Sequence, residues 1–150
     1  MSLINSFETN LLKLIFQNIG LANLGDATGL LPSTGAGNIY VSLHTANPDE
    51  GAADQNDSEM TYSGYNRQAA VRSASGWTVT DTAGTNVADN AAEINMGENA
   101  GGSETSTHFG LGFASGTGAT TLYMTGVAAL AVSTAVNPQF AIGALDVSLD

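Results

Sequence analysis

At 150 residues the chain has the length of one domain and can bury a real hydrophobic core. Three basic residues, Lys13, Arg67 and Arg72, stand against 14 acidic ones for a net charge of -11, so the long-range field repels phosphate and anionic lipid and argues against nucleic-acid and membrane-surface partners. There is no cysteine, which removes disulfides and thiolate metal sites, and 18 glycines with only 11% charged residues favour a turn-rich β protein over a helical bundle.

Ser2 is positioned as an N-cap, apolar residues recur from Leu3 to Ile19, and Gly20 supplies a stop, which predicts a helix over residues 1–20. Leu3, Ile4, Phe7, Leu11, Leu14 and Ile15 form one stripe. Leu12, Phe16 and Ile19 widen it beyond what one buried face needs. One reading covers both sides internally with sheet and loops. The other gives Leu12, Phe16 and Ile19 to a second protein chain, and it expects Phe16→Asp to spare the fold. The basic n-region and unbroken apolar run of a secretory signal are absent, since Glu8, Asn10 and Lys13 interrupt the stretch.

Residues 21–37 read as a Gly-rich link. In Asn38–Pro48, Ile39, Val41 and Leu43 alternate with Tyr40, Ser42 and His44, the period of a half-buried strand. An acidic loop, 49–57, follows. Strand segments are predicted at 59–65, 67–73 and 76–81, with Trp77 as a core anchor, then a turn-rich link at 85–91 and a short strand at 92–96. Phe109, Leu111 and Phe113 share one face of a strand over 105–114, and Gly110 and Gly112 on the other face call for a closely packed backbone or ring. A turn at 116–118 precedes one long bent strand or two strands over 122–132. Phe140 and Ile142 point inward, and a bulge at Gly143 carries the chain to Leu145, Val147 and Leu149. The expectation is a single all-β domain, an antiparallel β-sandwich of immunoglobulin or jelly-roll type with one N-terminal amphipathic helix.

No catalytic constellation stands out. Gly110–Gly116 misses the dinucleotide spacing, and Ser33–Gly37 lacks the Lys of a phosphate loop. His44 and His108 have no nucleophile elbow nearby, and joint metal binding would need their strands to be neighbours. Asp49, Glu50, Asp54, Asp57 and Glu59 lack the calcium-loop spacing. Arg67 and Arg72 are expected to pair with carboxylates or carbonyls at a strand edge or subunit contact. No catalytic residue, metal or cofactor is assigned.

YVSLHTANP (40–48), GYNRQAAV (64–71), GWTVT (76–80), THFGLG (107–112) and PQFAIGALDVSLD (138–150), after an N-terminal helix, resemble a family of tailed-bacteriophage virion proteins with an LHTADP-like strand. Asn47 replaces the usual Asp of that motif, and Asn66-Arg67-Gln68 replaces an Ala-Arg pair. Members are labelled head decoration (cement) or tail fibre proteins. The resemblance implies a β-sandwich virion component that binds the particle through an outward contact surface. The N-terminus without a signal has it made in the host cytoplasm, and the missing chemistry agrees with a protein that is not an enzyme. A head decoration protein is the first expectation, with the major capsid protein and further copies of itself, as in a trimer, for partners, and Leu12, Phe16, Ile19, Arg67 and Arg72 at the interface. The alternative is a tail or tail fibre component, which as a carbohydrate-binding module would use exposed Tyr62, Tyr65 and Trp77.

Overall fold

The computed structural model describes residues 3–48, 54–82, 85–116 and 121–149. Its elements are α1 (Asn5–Gln17), β1 (Asn38–His44), β2 (Gln68–Val71), β3 (Trp77–Thr82), β4 (Thr85–Asn90), β5 (Ile94–Asn95), β6 (Ser103–Gly112), β7 (Leu122–Ser133), β8 (Gln139–Phe140) and β9 (Asp146–Ser148). They form a four-stranded sheet in the order β2-β1-β6-β7, a three-stranded sheet β3-β4-β9 and a pair β5-β8. The pairings β1–β6, β6–β7, β3–β4 and β4–β9 are antiparallel. This is the all-β, sandwich-like class expected, with one N-terminal helix. The chain divides into two compact units interleaved in sequence: Met1–Asn38, Ala70–Glu93 and Phe140–Asp150 form the first, Ile39–Ala69 and Ile94–Gln139 the second.

In the first unit α1 packs on β3 and β4. Its buried residues are Glu8, Thr9, Leu12 and Phe16, and the Phe16 ring lies 4.6 Å from that of Trp77. Two of those four are polar, and β4 explains why they can be inside. Asn86 Nδ2 donates to Glu8 Oε2 (2.7 Å) and to the Asn5 carbonyl (3.1 Å), while Thr9 Oγ1 donates to Asn86 Oδ1 (3.0 Å). A buried amide or carboxylate is tolerable only when bonded in this way. Leu12 and Phe16, expected at an interface, are thus core: both are fully buried within the chain. Ile19 is exposed, as are Leu3 and Ile4.

The helix ends also differ from expectation. Ser2 lies outside the described residues, and Ile4, at the N-cap, gives no side-chain hydrogen bond. Asn18 rather than Gly20 takes the left-handed C-terminal position (φ 56°), which Asn tolerates better than most residues. At the same end, Arg72 Nε and Nη2 donate to the carbonyls of Ile15 and Leu14, both 2.6 Å away. They occupy acceptors the last helical turn leaves open and put a positive charge at the negative end of the helix dipole, where the helix has no basic residue of its own.

The predicted link at 85–91 is strand β4, whose inward residues are Asn86, Ala88 and Asn90. Asn90 holds the C-terminal segment: its Nδ2 donates to the carbonyls of Ala92 and Ala141, and its Oδ1 accepts from the amides of Ala144 and Leu145. Gly143, at φ 70°, therefore sits in a turn between β8 and β9 rather than in a bulge, and Ile142 points outward. Residues 60–66 hold no strand, because Tyr62, Tyr65 and their neighbours bond to side chains and loop backbone instead of a ladder. Phe113 falls past the end of β6 and is half exposed.

On β4 and β9, Asp89 and Asp146 are cross-strand neighbours that hydrogen-bond through their carboxyl groups. Burial first, then the Asp146 carboxyl, pushes Asp89 up to about 6. The folded state therefore holds this proton more tightly than the unfolded one. The pair favours folding at low pH, and that contribution is lost as the pH rises from 3.8 through about 6. Asp146→Asn should raise stability at pH 7 to 8 by a few tenths to about 1 kcal/mol, with the gain vanishing below pH 4 in denaturant titrations. Phe16→Ala should cost about 3–5 kcal/mol and Ile19→Ala under about 1 kcal/mol in the same assay.

Candidate functional site

The second unit carries a polar interior centred on Arg67, which is buried on the segment entering β2. Nε donates to Glu59 Oε1 (2.8 Å) and Nη2 to Glu59 Oε2 (2.7 Å), a bidentate pair. Nη2 also donates to Asn56 Oδ1 (2.8 Å), and Nη1 to the carbonyls of Gly116 (2.8 Å) and Ala114 (3.1 Å). All five N–H groups of the guanidinium have acceptors within the chain. The hydrogen bonds to Glu59 raise its pKa further, so it stays charged. Tyr65 donates to Glu59 Oε1 (2.8 Å) and accepts from the Leu43 amide (2.9 Å), and burial pushes its phenol up.

Beside this cluster a cleft of about 340 Å3 is lined by Asn56, Glu59, Thr61, Asn66, Arg67 and Ser115 among others. Its charged groups already satisfy one another. Thr61 is engaged as well, through its amide and hydroxyl, by the Glu104 carboxylate (2.8 and 3.0 Å). The cleft therefore offers small neutral polar groups and no unpaired charge to a ligand.

Deeper inside, Ser42 Oγ lies 2.8 Å from His44 Nε2, and His44 Nδ1 lies 2.8 Å from the Asp57 carbonyl. Because a carbonyl only accepts, Nδ1 carries the proton and Nε2 accepts from the serine hydroxyl. The pair has the polarity of a nucleophile and its base, yet both side chains are fully buried. Gly110 and Gly112 explain the fit. They face Ser42 and Tyr40 across β1–β6, and a Cβ on Gly110 would lie 2.6 Å from His44 Nε2, while one on Gly112 would lie 2.2 Å from Gln55. The close packing expected on that face is thus an imidazole and an amide. Burial lowers the His44 pKa, keeping the ring neutral.

The structure separates the residues the sequence groups together. Arg67 pairs with a carboxylate and carbonyls in the second unit, Arg72 with carbonyls in the first, and neither is free for a partner. Leu12 and Phe16 are core, which leaves Ile19. It is exposed with Leu24, Leu30 and Leu31 on a loop closed by Asn18, whose Nδ2 donates to the Ser33 carbonyl and whose Oδ1 accepts from the Ser33 amide (both 2.9 Å). Trp77 and Tyr62 are buried and Tyr65 is largely so, which removes the aromatic platform of a carbohydrate-binding surface at those positions. His44 and His108 do face each other across β1–β6, but both nitrogens of His44 are engaged. Among the described residues no cluster of three or more ligating groups could hold a metal. Asp54, from the acidic loop, accepts from the Asn56 amide in a local turn, while Asp49 and Glu50 lie outside the described residues. No helix among the described residues is long and apolar enough to cross a membrane.

The class of protein, a structural protein of bacteriophage particles, is set by a comparison that spans nearly the whole chain. The family model described as Podophage GP4 fiber I protein gp80 matches residues 5–148, and the chain belongs to that family. No curated protein matches it. The family's description speaks for the fibre alternative and gives no support to the head-decoration expectation.

Arg67→Met should destabilise the protein by about 3–5 kcal/mol in chemical denaturation, because Glu59 would stay buried without its counter-ion. With the His44 pKa lowered in the folded state, its contribution to stability is intact above pH 6.5 and is lost as the pH falls below that value. His44→Gln should flatten this part of the stability profile, whose slope for one proton is on the order of 1 kcal/mol per pH unit at most.

Proposed function

We propose that this chain is a structural component of the tail fibre apparatus of a phage particle and acts by surface contact rather than by making or breaking bonds. The observation that carries the reading is the family match over residues 5–148 to a fibre protein. The site geometry supports it. The Ser42–His44 pair is sealed from solvent, the Arg67–Glu59 pair is neutralised internally, and no metal-ligating cluster occurs among the described residues.

The charge supports an outward position. A net charge of -11 with both arginines bonded inside the chain leaves an acidic surface, unsuited to lining a genome-filled interior. The partners under this reading are further copies of the chain and other proteins of the fibre. Gold-labelled antibody against the protein, applied to intact particles and imaged by electron microscopy, should mark the tail. Label distributed over the head would overturn the fibre reading in favour of head decoration.

A further inference from the structure

Strand edges with open N–H and C=O groups invite pairing with another chain, and proteins blunt them with charge, proline or short length. Three of the four edges of the two larger sheets are blunted. In the four-stranded sheet, β2 is only four residues long. In the three-stranded sheet, β9 is three residues long and carries Asp146, and β3 carries Asp81. Strand β7 is the exception. It runs for 12 residues, LYMTGVAALAVS, with no charge and no proline. Among the described residues β6 is the only strand that pairs with it. Three of its exposed side chains are large and apolar: Val127 is 77% exposed, Tyr123 53% and Leu130 41%. A bulge sets Ala128 and Ala129 against Thr107 and bends the strand; the run Leu122–Val127 remains open before it, while beyond it the Val132 carbonyl accepts from Asn99 Nδ2 (3.3 Å).

We propose that the free edge of β7 pairs antiparallel with β7 of a second copy of this chain, joining two four-stranded sheets about a two-fold axis. Charge selects the occupant. Two chains of net charge -11 repel wherever their carboxylates meet, but no Asp, Glu, Lys or Arg occurs between Thr105 and Leu145. Strand β7 lies inside that charge-free stretch, so two copies can meet along it without setting carboxylates of the strand itself against each other. Geometry agrees, because an antiparallel edge presents both donors and acceptors and is complementary to itself under a two-fold rotation. Val127 and Leu130 would leave water in the contact, and screening the net charge with salt should strengthen it.

The test is the mass of the full chain in solution, by light scattering or sedimentation at tens of micromolar. The wild type should have twice the 15.2 kDa chain mass, and more firmly so at high salt. Val127→Lys combined with Leu130→Lys should halve that mass without changing the circular dichroism, since both side chains are exposed. The chain lacks cysteine, so single substitutions report contacts directly. Val127→Cys should give a disulfide-linked dimer on mild oxidation, and Val71→Cys, at the opposite edge, should not. A monomeric wild type, an assembly that survives the two lysines, or equal cross-linking at both edges would each overturn the proposal. None of these results bears on whether the protein sits in head or tail.

Discussion

The bidentate pairing of Arg67 with Glu59 is the constraint on which the second unit rests. One guanidinium joins the segment entering β2 to the 54–59 loop and to the carbonyls that follow β6. An isolated buried charge would be prohibitive, and only a full set of acceptors makes this one tolerable. Arg72 plays the parallel part in the first unit, closing the C-terminal end of α1. Two of the chain's three cations are thereby committed to acceptors within the chain, Arg67 buried and Arg72 partly so, against 14 acidic residues.

That distribution of charge connects the interior to function. The buried histidine is neutral and hydrogen-bonded and the buried arginine is fully paired, so neither offers an unpaired charge to a partner. A net charge of -11 gives the chain a long-range field that opposes other polyanions, and the contact proposed along β7 lies in a stretch without charged residues. Membership in a phage fibre family fits a module that works by where it binds.

Much of the fold is legible in the sequence because apolar alternation marks strands, although β1 is buried on both faces, with Ser42 and His44 as deep as its apolar residues. Ile39, Val41 and Leu43 are buried on β1, Trp77 anchors the first unit, and Gly110 and Gly112 mark a tight approach. What stayed hidden is polar burial. Asn86 and Asn90 face inward on β4, and Glu8 and Thr9 lie on the buried side of α1, so a hydrophobic pattern mistakes a strand for a link. The same effect misassigns the helix faces: Leu12 and Phe16 continue a buried stripe whose first turn is polar, and so they look like surplus surface. The repeated Asn-rich composition of 86–90, set against two polar residues one turn before Leu12, is the one signal that hinted at their pairing. The Arg67 cluster was visible only as a scarcity of cations, because its acceptors come from segments far apart in the chain.

The central claim, that the chain serves the fibre by contact and not the head by cementing it, is tested most directly on particles assembled without it. Thermal release of DNA and imaging of the tail would be measured on the same preparation. The account predicts heads that retain their DNA to the wild-type temperature, on tails missing fibre density. Complete fibres on heads that open at a lower temperature would contradict it.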